Sequence, residues 1–175
     1  KGHVEIYDYI IGSGWSKVGS NIVGATVGMR YGYSVSLSND GTYVAVGAPF
    51  DDTTASDSGL VNVYKYDSVW TKVGADIVGG GASYKLGTSV SLSSNGNILA
   101  VGIPGNGQGS VKSYALSSGS WVARGSELIG EATSDKFGTS VSLSSNGARL
   151  VIGAPENGTA GHIRIYEYSV SDWSQ

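Results

Sequence analysis

Four tryptophans, Trp15, Trp70, Trp121 and Trp173, recur at intervals of 55, 51 and 52 residues. Between them the same words return in the same order: Ser-Val-Ser-Leu-Ser at Ser34, Ser89 and Ser140, then Gly-x-Pro at Gly47, Gly102 and Gly153. A repeat of about fifty residues restricts a chain to propellers, solenoids or arrays. Spacing within the unit is rigid, with 19 residues from each of the first three tryptophans to the next Ser-Val-Ser-Leu-Ser and 13 from there to Gly-x-Pro. Length varies mainly after the proline, where the next glycine of the repeat follows at 10, 5 or 6 residues. Insertions of this kind collect on one face of a repeat array, often the binding face.

Each unit reads as four short strands. Val35 and Leu37 alternate with serines at period two, the pattern of a half-buried strand. Asn39-Asp40-Gly41, Ser94-Asn95-Gly96 and Ser145-Asn146-Gly147 follow and predict two-residue hairpin turns with positive φ at both centres. Return strands are expected over 43–48, 98–103 and 149–154, each stopped by a proline that withdraws a backbone donor. Third strands are expected over 60–66, 110–116 and 162–168, with a further copy over 3–9, and fourth strands at each tryptophan. Ile163 and Ile165 share one face of their strand and Tyr166 and Tyr168 the other, so that strand should be packed on both sides. The expected fold is all-β: β-propeller blades of four antiparallel strands, about three and a half of them, in a partial propeller or a fragment of a larger ring. The expected units are a partial blade over 1–33, blades over 34–88 and 89–139, and an incomplete blade over 140–175.

Glycine supplies 28 of 175 residues and charged residues 14%, as suits short strands joined by tight turns. The formal net charge is −3, with 11 Lys and Arg scattered singly, so no basic footprint for nucleic acid is present. No apolar run reaches the roughly 18 residues needed to span a bilayer, and membrane insertion of this segment is not expected. There is no cysteine, hence no disulfide framework or thiolate metal site.

These residues resemble the FG-GAP repeat, the blade motif of integrin α-subunit propellers, in its calcium-free variety. The Phe-Gly element stands in full at Phe137-Gly138 and in degenerate form at Tyr31-Gly32 and Leu86-Gly87. Gly-Ala-Pro stands at Gly47-Ala48-Pro49 and Gly153-Ala154-Pro155, and becomes Gly102-Ile103-Pro104 in the middle copy. The resemblance implies a non-enzymatic module for adhesion or for protein or glycan recognition, extracellular or on the cell surface, with further copies of the repeat as partners. Metal-bearing members place a D-x-D-x-D-G loop between the first two strands, because Ca²⁺ needs six to eight converging oxygens. The turns here hold at most one carboxylate each, so no metal is expected in them; no cofactor is expected either.

The segment from Pro49 to Gly59 is the most unusual, and its Asp51, Asp52 and Asp57 are the candidate ligand-binding residues, with a weak calcium site as one form of that idea. Asn157-Gly158-Thr159 is a glycosylation sequon that applies to a protein secreted by a eukaryote. His3 and His162 occupy one repeat position, which blade geometry explains. The tryptophans suit blade structure better than sugar stacking. No nucleophile, base and acid stand in a catalytic relation, so the chain reads as no enzyme. A structural repeat in a surface filament is the alternative reading, and a propeller-fold enzyme comes after it. An arc of blades also leaves two apolar faces bare, so a longer chain or assembly with other copies is expected to complete the ring.

Overall fold

In the computed structural model, which describes residues 1–175, all eighteen regular elements are strands. The chain opens with β1 (His3–Val4), β2 (Tyr7–Ile10), β3 (Gly14–Lys17) and β4 (Ile22–Val23), where β1 pairs with β4 and β2 with β3. A complete antiparallel sheet follows, β5 (Ser34–Leu37), β6 (Tyr43–Ala48), β7 (Leu60–Asp67) and β8 (Val69–Lys72), with β9 (Ile77–Val78) added against the start of β7. The plan repeats in β10 (Ser89–Leu92), β11 (Ile98–Ile103), β12 (Ser110–Ser117) and β13 (Ser120–Ala123), with β14 (Leu128–Ile129) against β12. The last sheet is β15 (Ser140–Leu143), β16 (Arg149–Ala154), β17 (His162–Ser169) and β18 (Asp172–Ser174). Equivalent residues pair in every sheet: Ser34 faces Gly47, Ser89 faces Gly102 and Ser140 faces Gly153. No helix is long and apolar enough to cross a membrane.

The return strands β6 and β11 are apolar on both faces because a neighbouring sheet covers each side. In β6, Val44, Ala45, Val46 and Ala48 are all buried. Alternate residues belong to different cores: Ala45 packs with Val61, Val63, Val90 and Leu99, whereas Val44 and Val46 pack with Val4, Ile6 and Met29. A third core, around Phe137, Leu150 and Ile152, joins the last two sheets. The sheets converge at their first strands, where β10 packs against both β5 and β15. The serine face explains the convergence: Ser36 Oγ accepts from Leu92 N at 2.9 Å and Ser91 Oγ from Leu143 N at 2.9 Å. At the other edge, the Trp70 and Trp121 indoles donate to the carbonyls of Val18 (3.0 Å) and Val73 (3.1 Å), and Trp173 donates to Ser113 Oγ (2.9 Å). These tryptophans are rivets between sheets, as their period predicts.

The Phe-Gly and Gly-x-Pro elements are two halves of one contact. Gly87 and Gly138 hold φ of 84° and 90°, which aims their carbonyls at the preceding sheet. Ser34 Oγ donates to the Gly87 carbonyl and Ser89 Oγ to that of Gly138, each at 2.7 Å. A Cβ on Gly47 would lie 2.2 Å from the Gly87 oxygen, and one on Gly102 would lie 2.0 Å from the Gly138 oxygen. Glycine is required there because a backbone passes across it.

The first turns differ from the expected two-residue hairpins. Gly41, Gly96 and Gly147 have φ of 71°, 71° and 68°, but Asp40, Asn95 and Asn146 are not left-handed. Gly41 N donates to the Ser38 carbonyl at 3.0 Å and Ser38 N to the Tyr43 carbonyl at 2.9 Å, closing a four-residue loop. A side-chain clamp holds it. Ser38 Oγ donates to Asp40 at 2.7 Å and accepts from Tyr43 N at 2.9 Å, while Asp40 accepts from Thr42 N at 3.0 Å. Ser93 with Asn95 and Ser144 with Asn146 make the same clamp. An Asx side chain that bonds the backbone two residues on needs no left-handed conformation of its own.

Candidate ligand cleft

A cleft of about 420 Å³ opens where loops of three consecutive sheets meet, with Tyr33 and Phe50 from the first, Lys85 and Pro104 from the second, and Lys136 and Thr139 from the third. Its cations, Lys85 and Lys136, come from one repeat position, which Arg30 fills in the first copy. Arg30, Lys85 and Lys136 each precede the Phe-Gly element and hold φ of 52°, 55° and 53°. A left-handed residue with a side chain costs roughly 1–2 kcal/mol, so neighbours must hold it. Thr88 and Thr139 do so, each donating its hydroxyl at 2.7 Å to the carbonyl of Lys85 or Lys136.

The three cations have different partners. The Arg30 guanidinium lies 4.2 Å from the centre of the Phe50 ring, and the Lys85 ammonium lies 5.4 Å from the same ring, geometry suited to cation–π attraction. Lys136 Nζ pairs with Glu156 at 2.5 Å. No carboxylate lies in ion-pair range of Arg30 or Lys85. Lys85 therefore presents an unneutralised charge to a cleft floored by an aromatic ring and a proline.

The acidic loop stands behind this cleft rather than in it. Asp51 is buried, and its carboxylate accepts from Thr53 N at 2.9 Å. Asp52 accepts from Asp57 N at 2.8 Å, and Asp57 is itself left-handed at φ 51°. The loop backbone then receives the next sheet: Ser83 N donates to the Ser56 carbonyl (2.8 Å), Lys85 N to that of Asp57 (3.0 Å) and Leu86 N to that of Ser58 (3.1 Å). Asp51, Asp52 and Asp57 thus shape a platform that fixes the backbone of Lys85. No three metal-binding side chains of the chain come together.

Asn157 is half-buried, and its amide donates to Asp135 at 2.8 Å and to Glu131 at 3.4 Å. Two backbone amides, of Ala132 and Glu131, also bond Asp135 and with Asn157 hold its carboxyl below the usual range. A glycan on Asn157 would replace one of those N–H groups. His3 and His162 both stand at the start of their strands, β1 and β17. The cations before the Phe-Gly element are the feature the sequence reading missed. The signal was present, since a basic residue precedes Tyr31-Gly32, Leu86-Gly87 and Phe137-Gly138 alike.

Residues 23–64 match the family model of the FG-GAP repeat. No curated protein sequence matches the chain. Among solved structures it is similar to a protein from Bacteroides uniformis provisionally named a 6-phosphogluconolactonase, at 12% identity and a TM-score of 0.65 over 98% of this chain and 50% of that one. A protein from Lactobacillus plantarum matches at 16% identity and a TM-score of 0.65 over 98% of this chain and 47% of that one. The chain thus spans about half the length of these structures, and at such identities the likeness shows the fold alone, an all-β propeller arrangement. The expectation of an adhesion or recognition module is corrected here: the FG-GAP match identifies a repeat and no role, and the neighbour whose name carries an activity is named as an enzyme.

Proposed function

We propose that the chain contributes half of a propeller-fold enzyme that opens a small anionic lactone in the cleft between Phe50, Lys85 and Lys136. The observation that carries this reading is Lys85, whose ammonium faces the cleft with no carboxylate in ion-pair range. A substrate anion neutralises it in a charge-assisted hydrogen bond, roughly twice as strong as a neutral one. The provisional name of the Bacteroides uniformis protein supplies the reaction class. Hydrolysis needs a water, a proton acceptor and a cation near the developing oxyanion. Glu156 is the acceptor, positioned by Lys136. Water adds to the lactone carbonyl carbon as its proton passes to Glu156. The ring carbon–oxygen bond then breaks, and the leaving oxygen takes that proton to become a hydroxyl.

The test is turnover of 6-phosphogluconolactone above its uncatalysed rate. Lys85→Gln is expected to raise KM about tenfold with kcat retained, as for lost ground-state binding, and Glu156→Gln to lower kcat by about a hundredfold. Turnover that stays at the uncatalysed rate refutes the reading.

A further inference from the structure

The last sheet presents the same seat that the two preceding sheets fill. On β5–β8, Ser34 and Gly47 receive the Gly87 carbonyl, and on β10–β13, Ser89 and Gly102 receive that of Gly138. On β15–β18, Ser140 and Gly153 instead line an open hollow of about 470 Å³ with Pro155, Gly161, His162 and Ile163. Beside it Ile163 and Ile165 are 67% and 55% exposed, where their counterparts Val61 and Val63 are 0% and 1% exposed.

The opposite end of the chain carries the complementary half. Val35 and Leu37 are 54% and 49% exposed, whereas Val90 and Leu92, at the same repeat positions, are 8% and 7% exposed. The cause is the opening segment, β1–β3, which supplies the two outer strands of a sheet and leaves β5 without an inner neighbour. That segment duplicates the end of the chain. Gly2-His3-Val4-Glu5-Ile6-Tyr7 matches Gly161-His162-Ile163-Arg164-Ile165-Tyr166. A Tyr–Trp edge contact closes both, at 5.3 Å for Tyr9 and Trp15 and 5.2 Å for Tyr168 and Trp173.

We propose that the partner for this face is a second copy of the chain. The β15–β18 sheet of one copy docks on β5–β8 of the next, and its β17–β18 takes the place that residues 1–17 hold in the single chain. The Tyr31-Gly32 loop of the second copy then seats on Ser140 and Gly153, and Val35 and Leu37 pack near Ile163 and Ile165. The two faces are different, so the contact is head-to-tail, which gives rings or open fibres depending on closure. Each copy adds three complete sheets, and two copies close a six-sheet ring, inside the range of roughly four to eight for propellers. Two copies, less the displaced residues 1–17 of each, also approach the extent of the single chains of which this one covers about half.

The 175-residue chain is tested by light scattering over a concentration series. A mass of twice 17.9 kDa at high concentration is expected, and Ile163→Asp with Ile165→Asp should return it to one chain, since both side chains are exposed in the single copy and their loss leaves its cores intact. Tyr33→Cys with Ser140→Cys, in a chain free of other cysteines, should form an intermolecular disulfide that ends at the dimer. Protease should cut within residues 1–17 faster in that dimer than in the monomeric double variant. A single-chain mass at every concentration, assembly that survives the two aspartates, cross-linked chains longer than dimers, or equal cleavage of residues 1–17 would each overturn the proposal. A longer natural chain whose own repeats occupy the seat would overturn it too, and would show as loss of dimerisation in that chain.

Discussion

At the residue scale, the clamp in the first turn explains how this chain holds a sharp bend with side chains alone. Asp40 is the one carboxylate among three clamps built on the same plan, Asn95 and Asn146 filling the others. The Ser38 hydroxyl, followed by the Thr42 amide and hydroxyl, lowers its pKa from 3.8 to about 2. A folded-state pKa below the unfolded one contributes stability that is present above about pH 4 and lost as pH falls through about 2. Asp40→Asn should therefore leave stability at neutral pH unchanged and flatten the loss between pH 4 and 2, measured as the denaturant midpoint at each pH. An unchanged acid profile would place the sensitivity elsewhere. The sequence shows an Asx-Gly turn here but suggests the wrong type, because Asn-Gly is read as two left-handed residues, whereas the serine two residues before the Asx lets the Asx keep a negative φ.

Among elements, the alternation of apolar residues made the strands legible: β6, β11 and β16 begin and end where the pattern and the prolines put them. The copy over 3–9 is instead broken into β1 and β2, since without a return strand beside it the ladder has no partner along its middle. The meaning of Phe-Gly and Gly-x-Pro was not legible, because their contact joins one repeat to the next and no spacing inside a repeat reveals it. The cleft was hidden for the same reason, its cations standing about fifty residues apart. That contact makes a sharp prediction. Gly102→Ala drives a methyl into the Gly138 carbonyl, a backbone atom that cannot swing aside, and should cost about 3 kcal/mol, the upper range for overpacking. In the single chain, Gly153→Ala meets only Ser140, whose rotatable hydroxyl is the one close atom and whose backbone oxygen lies 4.0 Å away, so its loss should be distinctly smaller. Chemical denaturation of the two variants at low protein concentration measures the difference, and equal losses would mean that the seat is not what constrains these glycines.

Over the whole molecule, stability should follow position in the array, because each sheet is held mainly by the neighbours it touches. The β10–β13 sheet is enclosed by a core on each side. By contrast, β2 and β3 carry Tyr7, Tyr9, Ile10 and Trp15 at 44%, 62%, 48% and 71% exposure. At the far end, the Ile163 and Ile165 side of β17 lacks the cover that Val61 and Val63 enjoy. Local opening draws on such weakly covered elements first. In hydrogen exchange the amides of β11 and β12 should be the slowest, those of β2 and β3 among the fastest, and β17 intermediate, since Tyr166 and Trp173 still bury its other side. Raising the concentration should slow β17 and β5 together while leaving β11 unchanged, because association covers the outer faces and adds nothing to a strand already enclosed. Uniform protection across the four sheets would mean that the chain opens as one cooperative block, and that its two exposed faces are stabilised by something other than a neighbour.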